Sequence, residues 1–106
     1  MRSIIPITDF MVYSLAIEKY GEINQLEVAI EELSELIKEI TKFLRNDTDA
    51  ESVEHITEEM ADVYIILEQL RVLFKNDEEI ERKMRMKIDR LYNRLPGHYR
   101  EGVDKP

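Results

Sequence analysis

The sequence has no cysteine and no tryptophan, and only three glycines and three prolines among its 106 residues. Without cysteine the chain cannot form a disulfide, a zinc–thiolate site or a cysteine nucleophile. No apolar run approaches the roughly 18 residues of a membrane span. The N-terminus also lacks a signal-peptide layout, since only Arg2 precedes a short apolar run. We therefore expect a cytoplasmic protein with no membrane partner.

Two common catalytic patterns are missing as well. The chain has no Gly-x-x-x-x-Gly-Lys pattern, which excludes a P-loop enzyme. Its only histidines are His55 and His98, and no nucleophile motif surrounds any serine, so a serine triad is not predicted. The net charge of −8 argues against nucleic acid as a partner.

The charge is divided unevenly along the chain. Residues 22–81 hold eighteen acids and five bases, whereas residues 82–106 hold eight bases and three acids. The acids could be concentrated at a functional site and the bases on the last helix. Alternatively, the two regions could be oppositely charged, solvated faces that attract each other. The length suits one domain with one core. We predict a single domain over 1–106, with a helical core at about 8–95 and a mobile tail.

Apolar periodicity predicts four helices and no strands. Thr8 or Asp9 is the predicted cap of the first, which runs to about Tyr20 and is stopped by Gly21, and the second runs from about 23 to 44. Ser52 is the predicted cap of the third, which ends near Phe74, and the fourth spans about 77–95. The stripes predicted to face the core are Phe10, Tyr13, Ile17 and Tyr20; Leu26, Ile30, Leu33, Ile37, Ile40 and Leu44; and Ile80, Met84, Ile88, Leu91 and Leu95. A base-stacking surface is the alternative for the first, aromatic stripe.

Two pairs of acids have the same helical spacing. Glu32 and Glu35 are three residues apart, as are Glu59 and Asp62, so each pair shares one helix face. Residues 32 and 62 have the same midpoint, 47, as residues 35 and 59. An antiparallel hairpin that turns at 46–49 therefore sets the pairs at one height. Four converging carboxylates need cations, and Mg²⁺ or Mn²⁺ suit oxygen ligands best.

A di-iron bundle is the main competitor for such a cluster. That site calls for Glu-x-x-His pairs. Here the third residue after Glu32 is Glu35, and the third after Glu59 is Asp62, so neither pair contains histidine. Oxygen ligands alone favour Mg²⁺ over iron. Metal-assisted hydrolysis of a phosphate ester or anhydride remains.

The segment from Met60 to Leu67 is apolar or aromatic at every position except Asp62. A helix that is apolar all round is buried on several sides. Four short helices offer too little cover, so we predict a homodimer or a higher homo-oligomer. Asp62 is then expected to be buried. A buried acid is normally paired or bound to metal, so a structural salt bridge is the alternative.

These acids also lie in a recognisable pattern. Glu31-Glu32-Leu33-Ser34-Glu35-Leu36, Glu59-Met60-Ala61-Asp62-Val63 and Lys87-Ile88-Asp89-Arg90-Leu91 together resemble the MazG-like, all-α nucleoside triphosphate pyrophosphohydrolases over about 20–95. The resemblance implies a four-helix bundle-like protomer. It also implies cleavage between the α- and β-phosphates of a (d)NTP, which gives (d)NMP and pyrophosphate.

The resemblance also assigns roles to residues. It implies that four acids bind the metal: Glu32, Glu35, Glu59 and Asp62. It also implies that Glu31 orients the attacking water and that Lys87 and Arg90 contact phosphate. Ile66 stands where some relatives have a polar residue, so Gln25 and Tyr13 are the candidates left for sugar and base.

Simpler interpretations stand beside these. Lys83, Lys87, Arg90 and Arg94 form a basic stripe on the fourth helix that could simply complement its C-terminal dipole. The alternative function is a non-catalytic acidic helical dimer that binds a partner. In that case the acids are only solvated.

Overall fold

The computed structural model describes residues 7–45 and 50–97. These residues form four α-helices and no strand: α1 (Asp9–Tyr20), α2 (Glu22–Arg45), α3 (Ala50–Phe74) and α4 (Asp77–Arg94). The predicted all-α class is confirmed. The predicted turn at 46–49, the lead at 1–6 and the tail at 98–106 lie outside the described residues.

Local chemistry sets both ends of α1. The Thr8 side chain accepts a hydrogen bond of 3.2 Å from the Met11 backbone N–H, which satisfies one of the free donors of the first turn. Gly21 ends the helix with φ of 90°, a conformation that favours glycine. Its N–H donates to the Ile17 carbonyl at 2.8 Å. Both of these ends are where the sequence predicts them.

The start of α3 differs from the prediction. The helix begins at Ala50, so Ser52 lies in its first turn and the predicted cap there is wrong. Alanine has the strongest intrinsic helix preference, which favours extending the helix past Ser52 to Ala50. Asn76 precedes α4 as predicted, although its side chain makes no capping hydrogen bond.

The first three helices belong to one compact unit, and α4 belongs to a second. Within the first unit α3 packs mainly on α2 and also on α1. The apolar core is small, consisting of Ala29 from α2 with Val63 and Ile66 from α3. Two glutamines, Gln25 and Gln69, are buried beside it. A single domain over the whole chain stays a prediction.

The most apolar stripe of α2 is exposed, contrary to the prediction that it faces the core. Ile30 and Ile37 are each 65% exposed, and Leu44 is 78% exposed. The face that contributes to the core holds Gln25 and Ala29 instead. Helical periodicity identifies which residues share a face, but not which face a neighbouring helix covers.

The predicted burial of α3 and α4 is also corrected. In the segment 60–67 Val63 and Ile66 are buried, whereas Tyr64 is 64% exposed. Asp62 is exposed, so the expectation of a buried acid is wrong for the single chain. No residue of α4 is buried, and α4 is the one helix among the described residues of its unit. Its exposed predicted core residues are Met84, Ile88, Leu91 and Leu95.

None of the helices in ranges 7–45 and 50–97 is both long enough and apolar enough to cross a membrane.

A buried amide pair joins α2 to α3. Gln25 Nε2 donates to Gln69 Oε1, and Asn24 Nδ2 donates to Gln25 Oε1 at 3.1 Å. Buried polar groups are costly unless they are hydrogen-bonded. The pair therefore favours the register in which these two glutamines meet.

Replacing Gln69 with leucine should destabilise the fold, because the Gln25 amide is then buried without its acceptor. We expect Gln69→Leu to lower the free energy of unfolding by about 1–3 kcal/mol in urea melts. The double variant Gln25→Leu/Gln69→Leu should recover most of that loss, since both polar groups are gone. A single variant as stable as wild type would contradict this role for the pair.

Candidate metal centre

Three carboxylates meet between α2 and α3. Glu32 comes from α2, and Glu59 and Asp62 come from adjacent turns of α3. Each offers an oxygen that lies within 4.8 Å of the others. Glu32 and Asp62 lie close enough for Asp62 to raise the pKa of Glu32. The predicted convergence therefore occurs for these three residues, which we call the acidic trio.

The trio is one layer in a series of polar contacts. Successive layers are seven residues apart on each helix, which is a rise of about 10.5 Å. The three cross-helix pairs are Gln25 with Gln69, Glu32 with Asp62, and Glu39 with His55. In the last pair, Glu39 Oε1 lies 3.7 Å from His55 Nδ1. Sequence reasoning missed Glu39 and Gln69, although each lies seven residues after a predicted ligand.

Two acids of this interface, Glu32 and Glu59, have raised pKa values, so their ionised forms are disfavoured. Partial burial raises the pKa of Glu32 above its ordinary value, and the charge and hydrogen bond of Asp62 raise it further. Burial is also the first cause that raises the pKa of Glu59, followed by the charges of Asp62, Glu35 and Glu39. Desolvation and like charge both disfavour the ionised form.

In the part of the chain that the structure describes, the nearby basic side chains pair with acids outside the trio. Lys38 pairs with Glu35 at 3.8 Å, and Lys42 pairs with Glu39 at 3.5 Å. Among residues 7–45 and 50–97, no ion pair includes a member of the trio. A structural salt bridge therefore does not explain why these acids converge.

The arrangement suits a small divalent ion. Mg²⁺ binds oxygens at about 2.1 Å, so two of its ligand oxygens lie at most about 4.2 Å apart. The trio's limit of 4.8 Å is slightly wider, and small side-chain rotations would close that gap. Carboxylate oxygens are the ligands that Mg²⁺ and Mn²⁺ prefer. The residues present fit such an ion.

Two other predicted site residues lie at the edge of the trio. Glu35 is exposed and pairs with Lys38, but its charge still helps to raise the pKa of Glu59. Glu31 is exposed too, and its charge is a minor cause of the raised pKa of Glu32. Glu35 as a fourth ligand and Glu31 as a water-orienting group stay predictions.

The residues predicted to bind substrate lie on two different helices, α2 and α4. Gln25 is buried, and its amide is bonded to Gln69 and Asn24. On α4, Lys87 and Arg90 are exposed. They help to line a shallow cavity of about 240 Å³ on that helix, together with Arg82, Lys83 and Met86.

Comparisons with known protein families, with curated proteins and with solved structures gave no match to this chain. The resemblance to MazG-like enzymes stays a prediction based on the three motifs.

Neutralising one acid should stabilise the metal-free protein. Because the folded-state pKa of Glu59 lies above its ordinary 4.5, its ionised form costs stability at neutral pH. That cost disappears as the pH falls through the raised pKa towards 4.5. We expect Glu59→Gln to melt above wild type in EDTA at pH 7, and this advantage to shrink towards pH 4.5. Thermal melts at both pH values measure it.

Magnesium should stabilise wild type more than it stabilises Glu59→Gln. An ion that binds only the folded state raises the melting temperature of wild type, and the gain grows with concentration relative to Kd. Glu59→Gln should respond much less, whereas Glu51→Gln, an exposed acid near the start of α3, should respond like wild type. If Glu59→Gln melts below wild type in EDTA and neither responds to Mg²⁺, these acids are not a metal site.

Proposed function

We propose that this chain is a Mg²⁺-dependent nucleoside triphosphate pyrophosphohydrolase that converts a (d)NTP into (d)NMP and pyrophosphate. The proposal rests on the acidic trio, which has carboxylate oxygens within 4.8 Å of one another and no basic partner among the described residues. The choice of the α–β bond rests on the resemblance to MazG-like enzymes alone.

In this proposal the trio, with Glu35 as a fourth ligand, holds Mg²⁺, and Mn²⁺ could replace it. A bound ion would offset the negative charge of the triphosphate and activate water. Glu31 lies beside the trio on α2 and is the proposed group that orients the attacking water.

We further propose that α2 and α3 form the antiparallel central hairpin of a four-helix bundle-like protomer. The cross-helix pairs support this arrangement, because the partner's number falls from 69 to 62 to 55 as the α2 residue rises from 25 to 32 to 39. Opposed numbering of this kind is what two antiparallel helices produce.

Lys87 and Arg90 are the proposed contacts to phosphate oxygens. They are exposed on one face of α4, and no ion pair with another described residue occupies them. Residues for the base and sugar stay open. Gln25 is already hydrogen-bonded in the core and Ile66 is almost fully buried, at 2% exposure.

Activity gives the direct test. With Mg²⁺ and mixed dNTPs the protein should release pyrophosphate, and EDTA should abolish the release. Asp62→Asn and Glu35→Gln should each lose about 100-fold or more in rate, the scale for removing a charge-stabilising group. Glu51→Gln, on the same helix as Asp62, is the matched control and should keep full activity. Release of orthophosphate and diphosphate would contradict the α–β assignment.

The alternative function, a non-catalytic acidic dimer that binds a partner, is favoured by the large exposed apolar side chains of α2 and α3. It makes the opposite prediction for this assay. Under that interpretation no dNTP is hydrolysed with any divalent ion, and the acid variants behave like wild type.

Assembly is the second test. Met60, Ile65 and Leu67 are each more than 40% exposed in the single chain, alongside Tyr64. Apolar surface of this extent is typical of an interface. We propose a homodimer or a higher homo-oligomer, and sedimentation at micromolar concentration should give at least twice the chain mass of 12.6 kDa. A stable monomer would contradict it.

A further inference from the structure

The exposed apolar stripe of α2 follows a strict seven-residue repeat. Its members alternate at spacings of three and four residues without a break over three heptads. We call them the α2 seam: Ile23, Leu26, Ile30, Leu33, Ile37, Ile40 and Leu44. A heptad pattern with apolar residues at two positions is the pattern by which helices pack against one another in coiled coils.

Within its own compact unit most of the seam is left exposed, and Leu26 alone among its members is half-buried. Ile23 is 71% exposed and Leu44 is 78% exposed, and Ile30 and Ile37 between them are 65% exposed. At 100° per residue, the seam is centred roughly 110° around α2 from the residues that face α3. The α2–α3 contact and the seam are therefore separate faces of one helix. In a square four-helix arrangement each helix meets two neighbours on separate faces in this way.

We infer that the α2 seam packs in antiparallel orientation against the same seam of a second copy of this chain. The inference rests on the proposed dimer and does not depend on the proposed hydrolysis.

The residues that flank the seam favour an identical partner. Five of the seven flanking positions are uncharged: Ala29, Ser34, Leu36, Thr41 and Phe43. Charges at flanking positions normally select partner and orientation. Two acidic copies with uncharged flanks can meet over most of the seam without placing like charges opposite each other.

The charged ends of α2 favour the antiparallel orientation. Glu22 and Glu27 lie near the N-terminus of the helix, and Lys42 and Arg45 lie in its last turn. An antiparallel pair sets each acidic end beside the basic end of the other copy, and opposes the two helix dipoles. A parallel pair would instead bring four glutamates together at one end.

Polar substitutions in the middle of the seam test the inference. We expect Ile30→Gln/Ile37→Gln to raise the dimer dissociation constant by at least tenfold in sedimentation experiments. The circular dichroism spectrum should stay that of wild type, because both side chains are exposed in the single chain. Leu91→Gln is the matched control, since Leu91 is 56% exposed on α4, and it should remain as dimeric as wild type.

Cross-linking gives a second, independent measurement, because the natural chain has no cysteine. A short bis-maleimide should link two copies of Leu33→Cys, which lies near the middle of the seam. It should not link Ile23→Cys, since antiparallel packing places these ends far apart. Efficient linking at position 23 would overturn the antiparallel orientation, and failure at position 33 would overturn the seam.

The outcomes separate this inference from the proposed function. A monomeric wild type would overturn the dimer and the seam together, whatever its activity. A dimeric wild type whose double variant dissociates no more readily would overturn the seam alone. Pyrophosphate release measured on the same preparations tests the hydrolysis separately.

Discussion

The contact between α2 and α3 is the constraint on which the other features depend. Through it α2 packs a face of polar and small apolar side chains against α3. On that face Gln25 and Glu32 lie on either side of Ala29. Packing its isoleucine-rich face there would have buried more apolar surface. Burial of a glutamate beside another acid raises its pKa, which is a cost to the fold. The α2–α3 contact therefore brings carboxylates together at some cost in stability.

That cost gives a physical reason to expect a cation. Structural salt bridges reduce the repulsion between acids by inserting a base. The bases nearest in sequence, Lys38 and Lys42, pair instead with Glu35 and Glu39. Glu32 and Glu59 are partly desolvated beside other acids, which raises the pKa of each, and perturbed acids of this kind are enriched at functional sites. The apolar stripe of α2 lies on a different face, because Gln25, Ala29 and Glu32 occupy the face towards α3.

Much of the fold could be predicted because its signals are local. Thr8 and Gly21 mark the ends of α1 through their own side chain and backbone, and the apolar period marks the length of each helix. Burial could not be predicted equally well. The period of α2 indicates that Ile30 and Ile37 share a face, but the covering partner depends on tertiary and quaternary contacts.

The site shows the same division between local and non-local information. Spacing within each helix and a shared midpoint were sufficient to place Glu32 near Glu59 and Asp62. Spacing could not reveal that Glu35 pairs with Lys38 and stays outside the trio. Which of several nearby groups a side chain contacts depends on the three-dimensional geometry. Acid pairs three residues apart do not point to Glu39 or Gln69, which lie seven residues after Glu32 and Asp62. The structure indicates that the relevant period between polar layers is seven, the same period as the α2 seam. α2 therefore carries two heptad patterns, a polar one that faces α3 and an apolar one, the α2 seam, on a separate face.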